Sequence, residues 1–356
     1  MSPLHLTTAR YVLKLVDPFG ISRITRTEEE RIYLALDGGI GEAAPVSYYG
    51  EDEETVTRTL ATVEQMEFDD LDLVEHVMTE INARVPENRA AKAALDMALY
   101  DRLGKRLGIP LWKLFGHKPT RPLLTSFTIG IDTLEVMLEK VELAQNYKIL
   151  KVKLGRDVEH DLSVMREIRK LVGPEKCVRV DANAGWDLDA AKRAFPVLAD
   201  LGVEFVEQPL PMGAFEQLPK LKSHCPLPIL LDEDVHTARD IPRLAPFTDG
   251  INIKLMKSGG LAEARRMIAV ARAHGLRVML GCMIESSLGI TAAAHLGPAV
   301  DYLDLDGHLL IANDPFAGVA CDPDGTMHLP TGPGLGVTVL PEYREALLPV
   351  SKAAVG

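Results

Sequence analysis

The chain has 356 residues, a formal net charge of −12 and no run of Lys or Arg, which excludes a nucleic-acid role built on a cationic surface. No apolar run is long enough to cross a membrane, so no membrane partner is expected. The length exceeds what one small core needs and asks for two domains or a large barrel with an elaboration.

Residues 5–16 alternate apolar and polar like a strand, and they lack the basic start and apolar block of a signal peptide. A loop over 17–27 and a second strand over 31–36 follow, and Gly38, Gly39 and Gly41 then punctuate the chain. The patterning next predicts helices over 53–65, 69–85 and 88–107; in the last, Ala91, Ala94, Leu95, Ala98, Leu99 and Leu103 share a face. Strands followed by helices describe an α+β domain.

From Leu123 the chain alternates short apolar strands with amphipathic helices. Strands are expected over 123–129, 149–154, 177–181, 204–207, 229–232, 251–255, 277–282 and 302–306, with helices including 133–146, 159–172, 188–201 and 260–274. Eight such units predict a closed barrel. An open doubly wound sheet is the lesser reading, since no GxGxxG follows an early strand. The Gly- and Pro-rich tail is expected to return to the first domain and close a cap over the barrel mouth. The expected fold class is therefore α/β: a (β/α) barrel over 123–313, with an α+β capping domain formed by 1–122 and the tail 314–356.

Cys177, Cys225, Cys282 and Cys321 are scattered and form no CxxC, so they read as reduced thiols of a cytoplasmic protein. A homo-oligomer is expected only by analogy with other barrels.

Catalytic groups in a barrel sit at the C-terminal ends of the strands. Here nearly every such end carries an ionisable residue: Lys151 and Lys153 on the second strand, then Asp181, Glu207 and Asp232 on the third, fourth and fifth. Lys254 follows on the sixth, Glu285 after the seventh, and Asp304 and Asp306 on the eighth. Three carboxylates on consecutive strands would repel one another unless a cation sits among them. Hard oxygen donors without a nearby His or Cys suit Mg²⁺. Lysine inside a barrel strand is costly to bury without a partner or a role, and ion pairing alone explains one of these lysines better than three. A metal on a substrate carboxylate acidifies the adjacent C–H, and a lysine lowered by neighbouring cations and desolvation can take that proton. Lysines on opposite faces then suggest racemisation, epimerisation or a related elimination.

These segments together resemble the enolase superfamily, in the branch of the muconate-lactonizing enzymes. The resemblance covers nearly the whole chain: the alanine-rich helix from Asn88 to Asp101, Lys151-Val152-Lys153, Asp181-Ala182-Asn183, Glu207-Gln208-Pro209, Asp232-Glu233 and the run from Ile251 to Gly260. It implies Mg²⁺ ligation by Asp181, Glu207 and Asp232, an acid/base pair of Lys153 and Lys254, and electrostatic stabilisation by Lys151. Lys257 is read as lying past the strand and receives no role.

Asp304-Leu305-Asp306-Gly307 resembles the DxD signature of dipeptide epimerases. Two carboxylates on one strand face can hold the α-ammonium of a dipeptide. The expected substrate is thus a dipeptide epimerised at its C-terminal residue. N-acylamino acid racemase, o-succinylbenzoate synthase and muconate cycloisomerase chemistry remain the alternatives. Glu285 either lines the substrate end or starts a helix. Side-chain selectivity is assigned to the cap loops 17–27 and 44–50: the first carries Phe19, Ile21, Arg23, Ile24 and Arg26, and an arginine there would favour an acidic side chain, whereas Tyr48 and Tyr49 of the second, with Phe19, would favour apolar or aromatic ones.

Overall fold

The computed structural model describes residues 2–347. The first domain is a three-stranded antiparallel sheet, Leu6–Gly20, Thr25–Leu36 and Gly39–Ala43. Helices Glu53–Glu64, Val74–Arg84 and Arg89–Leu107 follow it. The expected 17–27 loop is largely strand. Pairing of the first two strands resumes past a register shift, with Phe19 opposite Arg26 and Gly20 opposite Thr25. Only residues 21–24 form the tip, where the Ile21 N–H donates to the Ile24 carbonyl at 2.9 Å. Asp17 and Pro18 break the apolar–polar alternation, while the ribbon continues outward past the register shift.

The third helix is buried around most of its girth, with Ala91, Ala94, Leu95 and Ala98 inaccessible to solvent. Its small side chains let the Gly39–Ala43 strand lie directly upon it. A Cβ at Gly39 would stand 1.9 Å from the Ala98 carbonyl oxygen, and one at Gly41 would stand 2.0 Å from that of Ala94. The two glycines are therefore demanded by contact distance rather than by turn geometry. The same helix reaches outward through buried Asp96, which accepts from the Leu261 and Ala262 N–H groups of a barrel helix. Asp101 accepts from Ile40 N at 3.0 Å and Leu335 N at 2.8 Å.

The second domain is a parallel barrel whose strand order follows the chain. Its strands are Phe127–Ile129, Ile149–Lys153, Cys177–Asp181, Val203–Glu207, Ile229–Leu231, Gly250–Lys254, Arg277–Gly281 and Tyr302–Asp304. A bridge between Thr125 and Leu303 brings the first and last strands together. The anticipated first strand is split: Leu123–Leu124 pairs instead with Thr326–His328 of the tail. Thr125 causes the division, because its hydroxyl accepts from Leu305 N at 2.7 Å and turns the chain into the barrel. Helices Leu134–Leu143, Val158–Val172, Leu188–Asp200 and Leu261–Ala273 cover the outside near their expected positions. A further helix, Ser287–Ala294, follows the seventh strand.

The tail works at both ends of the barrel. Residues 320–328 sit at the N-terminal ends of the strands, where Lys148 N donates to the Asp324 carbonyl. Residues 330–343 reach the first domain: the Pro330 carbonyl accepts from Trp112 Nε1, the Gly334 carbonyl accepts from Leu111 N, and the Tyr343 ring stands edge-on to Tyr11. Among the described residues no helix is long and apolar enough to cross a membrane.

Candidate active site

Parallel strands place their C-terminal residues at one rim, and period-two alternation decides which of those residues point inward. Lys151 and Lys153 alternate with Val152, and Asn252 and Lys254 alternate with Ile253, so all four project to the interior. The inner rim thereby collects Lys153 Nζ, 2.6 Å from Asp181 Oδ2, and Lys254 Nζ, 2.8 Å from Asp232 Oδ2. Lys151 Nζ lies 2.6 Å from Glu207 Oε2, 2.6 Å from Asp304 Oδ2 and 3.1 Å from Asp181 Oδ2. Above them opens a cavity of about 390 Å³. Its floor includes Lys153, Asp232, Lys254, Asp304 and Asp306, and its roof comes from the hairpin tip and the Tyr48–Tyr49 loop.

The three carboxylates are wholly buried, yet they respond differently. Burial works against the charge of Asp181, but Lys153 and Lys151 outweigh it and hold the group below the ordinary carboxylate range. Burial is likewise overcome at Asp232 by Lys254 and Lys257, which hold it well below. At Glu207 burial and neighbouring Asp181 prevail, pushing the carboxyl up to about 8. Of the three, Glu207 is thus the carboxyl whose charge the unliganded site most disfavours. Asn252 steadies Glu207, its Nδ2 donating to Oε1 at 2.7 Å.

This donor set fits a hard divalent cation. Glu207 Oε2 and Asp232 Oδ1 are buried and make no aligned hydrogen bond, although ammonium groups stand near both. Among the described residues no three acidic, His or Cys side chains are drawn tightly enough together to hold an ion as they stand. Lysine ammoniums occupy the intervening space, acting as the counter-charge.

The structure revises several individual expectations. Lys254 is held well above the ordinary lysine value: burial opposes its charge, but Asp232 and Glu207 outweigh burial. Burial and the neighbouring Lys151 ammonium do act to lower Lys254, as expected, but the contacting carboxylates prevail. Lys151 lies beneath the cavity rather than in its wall, joined to three carboxylates. Asp304 and Asp306 both reach the cavity, but with different commitments. Asp304 already accepts from Lys151 and from the Ser126 hydroxyl. Asp306 lies past the strand, accepts from Thr128 N at 2.6 Å, and is raised to about 6 by burial and by Asp304. Phe19, Ile24 and Arg26 line the roof. Glu285 does not line the cavity; it is buried behind it, accepting from Met283 N and facing Glu42. Ser286, not Glu285, caps the following helix.

Two residues passed over in the sequence are part of the rim. Lys257 pairs with Asp232 Oδ1 at 2.5 Å and donates to the carbonyls of Asp232, Val235 and Asn252. A single short helix, Leu255–Ser258, returns it to the site, which strand periodicity could not reveal. Glu233 is buried and pairs with Arg23 of the cap hairpin at 3.0 Å. Its placement beside Asp232 in the sequence was the available signal.

A barrel whose mouth gathers consecutive-strand carboxylates between lysines, beneath an α+β cap, defines a class of enzymes that handle protons beside a carboxylate. Residues 5–116 match the N-terminal domain of mandelate racemase and muconate lactonizing enzyme, and residues 136–343 match the enolase C-terminal domain-like family. The chain belongs to this family, a branch of the enolase superfamily. It is 39% identical over 340 residues to an L-Ala-D/L-Glu epimerase of Bacteroides thetaiotaomicron, covering 94% of this chain and 88% of that protein. It is 39% identical over 315 residues to a hydrophobic dipeptide epimerase of Roseobacter litoralis, covering 86% and 91%. A dipeptide epimerase from Cytophaga hutchinsonii, solved with Mg and D-Ala-L-Val, superposes with a TM-score of 0.92 at 28% identity over 97% of this chain and 98% of that one.

Proposed function

We propose that this protein is an isomerase that epimerises dipeptides at the α-carbon of the C-terminal residue with Mg²⁺ as cofactor. One observation carries the reading: Lys153 and Lys254, from the second and sixth strands, border a single cavity that also contains Asp304 and Asp306. Asp181, Glu207 and Asp232 would hold the divalent cation, whose charge acidifies the α-proton of a substrate carboxylate.

The substrate α-carbon lies between the two ammonium-bearing side chains. One lysine, deprotonated, removes the α-proton from its face, and the other returns a proton to the opposite face, inverting the centre. Lys151 serves the same chemistry from below, fixing Asp181, Glu207 and Asp304 relative to one another. Asp306 accepts from the substrate α-ammonium, with Asp304 adding negative charge beside it. Arg23 and Ser22 both donate to the Asn183 carbonyl, tethering the cap hairpin to the barrel rim and limiting water. N-acylated, succinylated and muconate substrates lack a free ammonium and leave the buried charge of Asp306 unused. The four cysteines are free, in keeping with a cytoplasmic setting.

Incubation with Mg²⁺ and a library of L,L-dipeptides in D₂O, read by mass spectrometry, tests the reading. Uptake of one deuterium at the C-terminal α-carbon supports it. Uptake confined to N-acyl amino acids removes the dipeptide while keeping the two-lysine mechanism.

A further inference from the structure

The cap hairpin carries three arginines toward the cavity, and each is already committed. Arg23 donates to the Asn183 carbonyl at 2.6 Å and to Glu233 at 3.0 Å, with its guanidinium 4.2 Å from the Tyr48 ring centroid. Arg26 pairs with Glu29 at 2.7 Å. Arg31 is buried, donates to the Ile284 carbonyl at 2.8 Å, and meets the same Glu29 at 3.3 Å. Glu29, the one acid of this wall, is thereby shared by two arginines. The cap surface left facing the cavity is largely apolar: Ile24, 44% exposed at the hairpin tip, Tyr48, 40% exposed in the turn over 47–49, and Phe19.

The directions available to a substrate link this surface to one group. At a planar α-carbon flanked by Lys153 and Lys254, three substituents remain in the plane. The carboxylate points to the acidic cluster on the third to fifth strands, and the nitrogen points toward Asp304 and Asp306 on the eighth. The barrel below is filled, with Lys151 buried beneath the cavity, so the C-terminal side chain can only rise into the cap.

We infer that the enzyme selects dipeptides with a bulky apolar C-terminal side chain, and that Ile24 and Tyr48 determine this specificity. The inference rests on the dipeptide reading above. A charged side chain would lose hydration between Ile24 and Tyr48 without gaining an uncommitted counter-charge, and burying an unpaired charge is heavily unfavourable. An apolar side chain covers hydrophobic surface that is otherwise exposed to water.

The test uses the full-length protein with Mg²⁺ in D₂O and compares kcat/KM for exchange of L-Ala-L-Leu, L-Ala-L-Phe, L-Ala-L-Glu and L-Ala-L-Lys. Leu and Phe are expected to exceed Glu and Lys by about 100-fold. Ile24→Arg should lower the Leu rate and raise the Glu rate, reversing much of that ratio. L-Ala-L-Glu turned over ahead of L-Ala-L-Leu, with the preference lost in Arg26→Met, would overturn the inference alone, since Arg26 would then have left Glu29 for the substrate. Exchange with none of the four would remove the dipeptide reading, and this inference with it.

Discussion

Lys151 and Asp304 are joined at 2.6 Å, linking the second barrel strand to the eighth through their functional side chains. The same ammonium touches Glu207 and Asp181, so the acidic cluster and the proposed ammonium site are held by one buried lysine. Asp304 and Asp306 therefore should not respond alike to mutation.

Asp306→Asn is expected to raise KM for dipeptides about tenfold or more with a smaller change in kcat, because it weakens a charge-assisted contact to the substrate. Asp304→Asn should lower kcat as well and reduce thermal stability, since it strips Lys151 of a partner. Steady-state kinetics together with a melting curve separate the two. Equal effects on KM alone would contradict the division of roles.

Lys153→Ala and Lys254→Ala should each reduce epimerisation by roughly 10²–10⁴-fold. Each variant should also retain solvent exchange from only one epimer, and the retained epimer should differ between the two. Deuterium uptake measured separately from the L,L and L,D dipeptides checks this. Identical behaviour toward both epimers would point to a single base.

EDTA should abolish turnover, and added Mg²⁺ should restore it. The ion also discharges repulsion among Asp181, Glu207 and Asp232, so Mg²⁺ at 100 times its Kd should stabilise the fold by about 2.7 kcal/mol. Urea denaturation with and without Mg²⁺ reads this independently of activity.

Lys257→Met removes a buried cation from Asp232 and from three backbone carbonyls. A loss of roughly 3–5 kcal/mol is expected, as for a broken buried ion pair. Chemical denaturation of the variant measures it, and a loss below about 1 kcal/mol would mean that the site repacks.

Behind the site, burial pushes the Glu42 carboxyl up to about 7, offset in part by bonds from Ser286 and Gly289. Burial and the presence of Glu42 push Glu285 up to about 8. Both therefore hold protons in the folded chain at pH values where the unfolded chain, near an ordinary pKa of roughly 4, has lost them. Their contribution is fully present below about pH 4 and is lost as pH rises through 7 and 8. Stability should fall by roughly 4 kcal/mol between pH 6 and 9, and Glu285→Gln should flatten that slope in denaturation midpoints.

Much of the molecule was legible in the residue order. Repetition of apolar strand and amphipathic helix from Leu123 onward announced the barrel, because each strand buried on both faces must read as a short apolar run. A carboxylate or lysine ending such a run stood out against that background, as Asp181, Glu207, Asp232, Lys153 and Lys254 did. What a side chain finally touches depended on segments distant in sequence. Lys257 returns to Asp232 over a turn that breaks strand periodicity, Glu285 turns away toward Glu42 of the cap, and Arg23 reaches Glu233 of the barrel from the tip of a hairpin whose pairing the exposed Asp17 and Pro18 concealed. The sequence by itself determined which chemistry is present and on which strand, since burial and periodicity are local signals. Only the tertiary structure decided which charges are spent on one another and which face the cavity, because an ion pair is set by the distance between atoms and not by their separation along the chain.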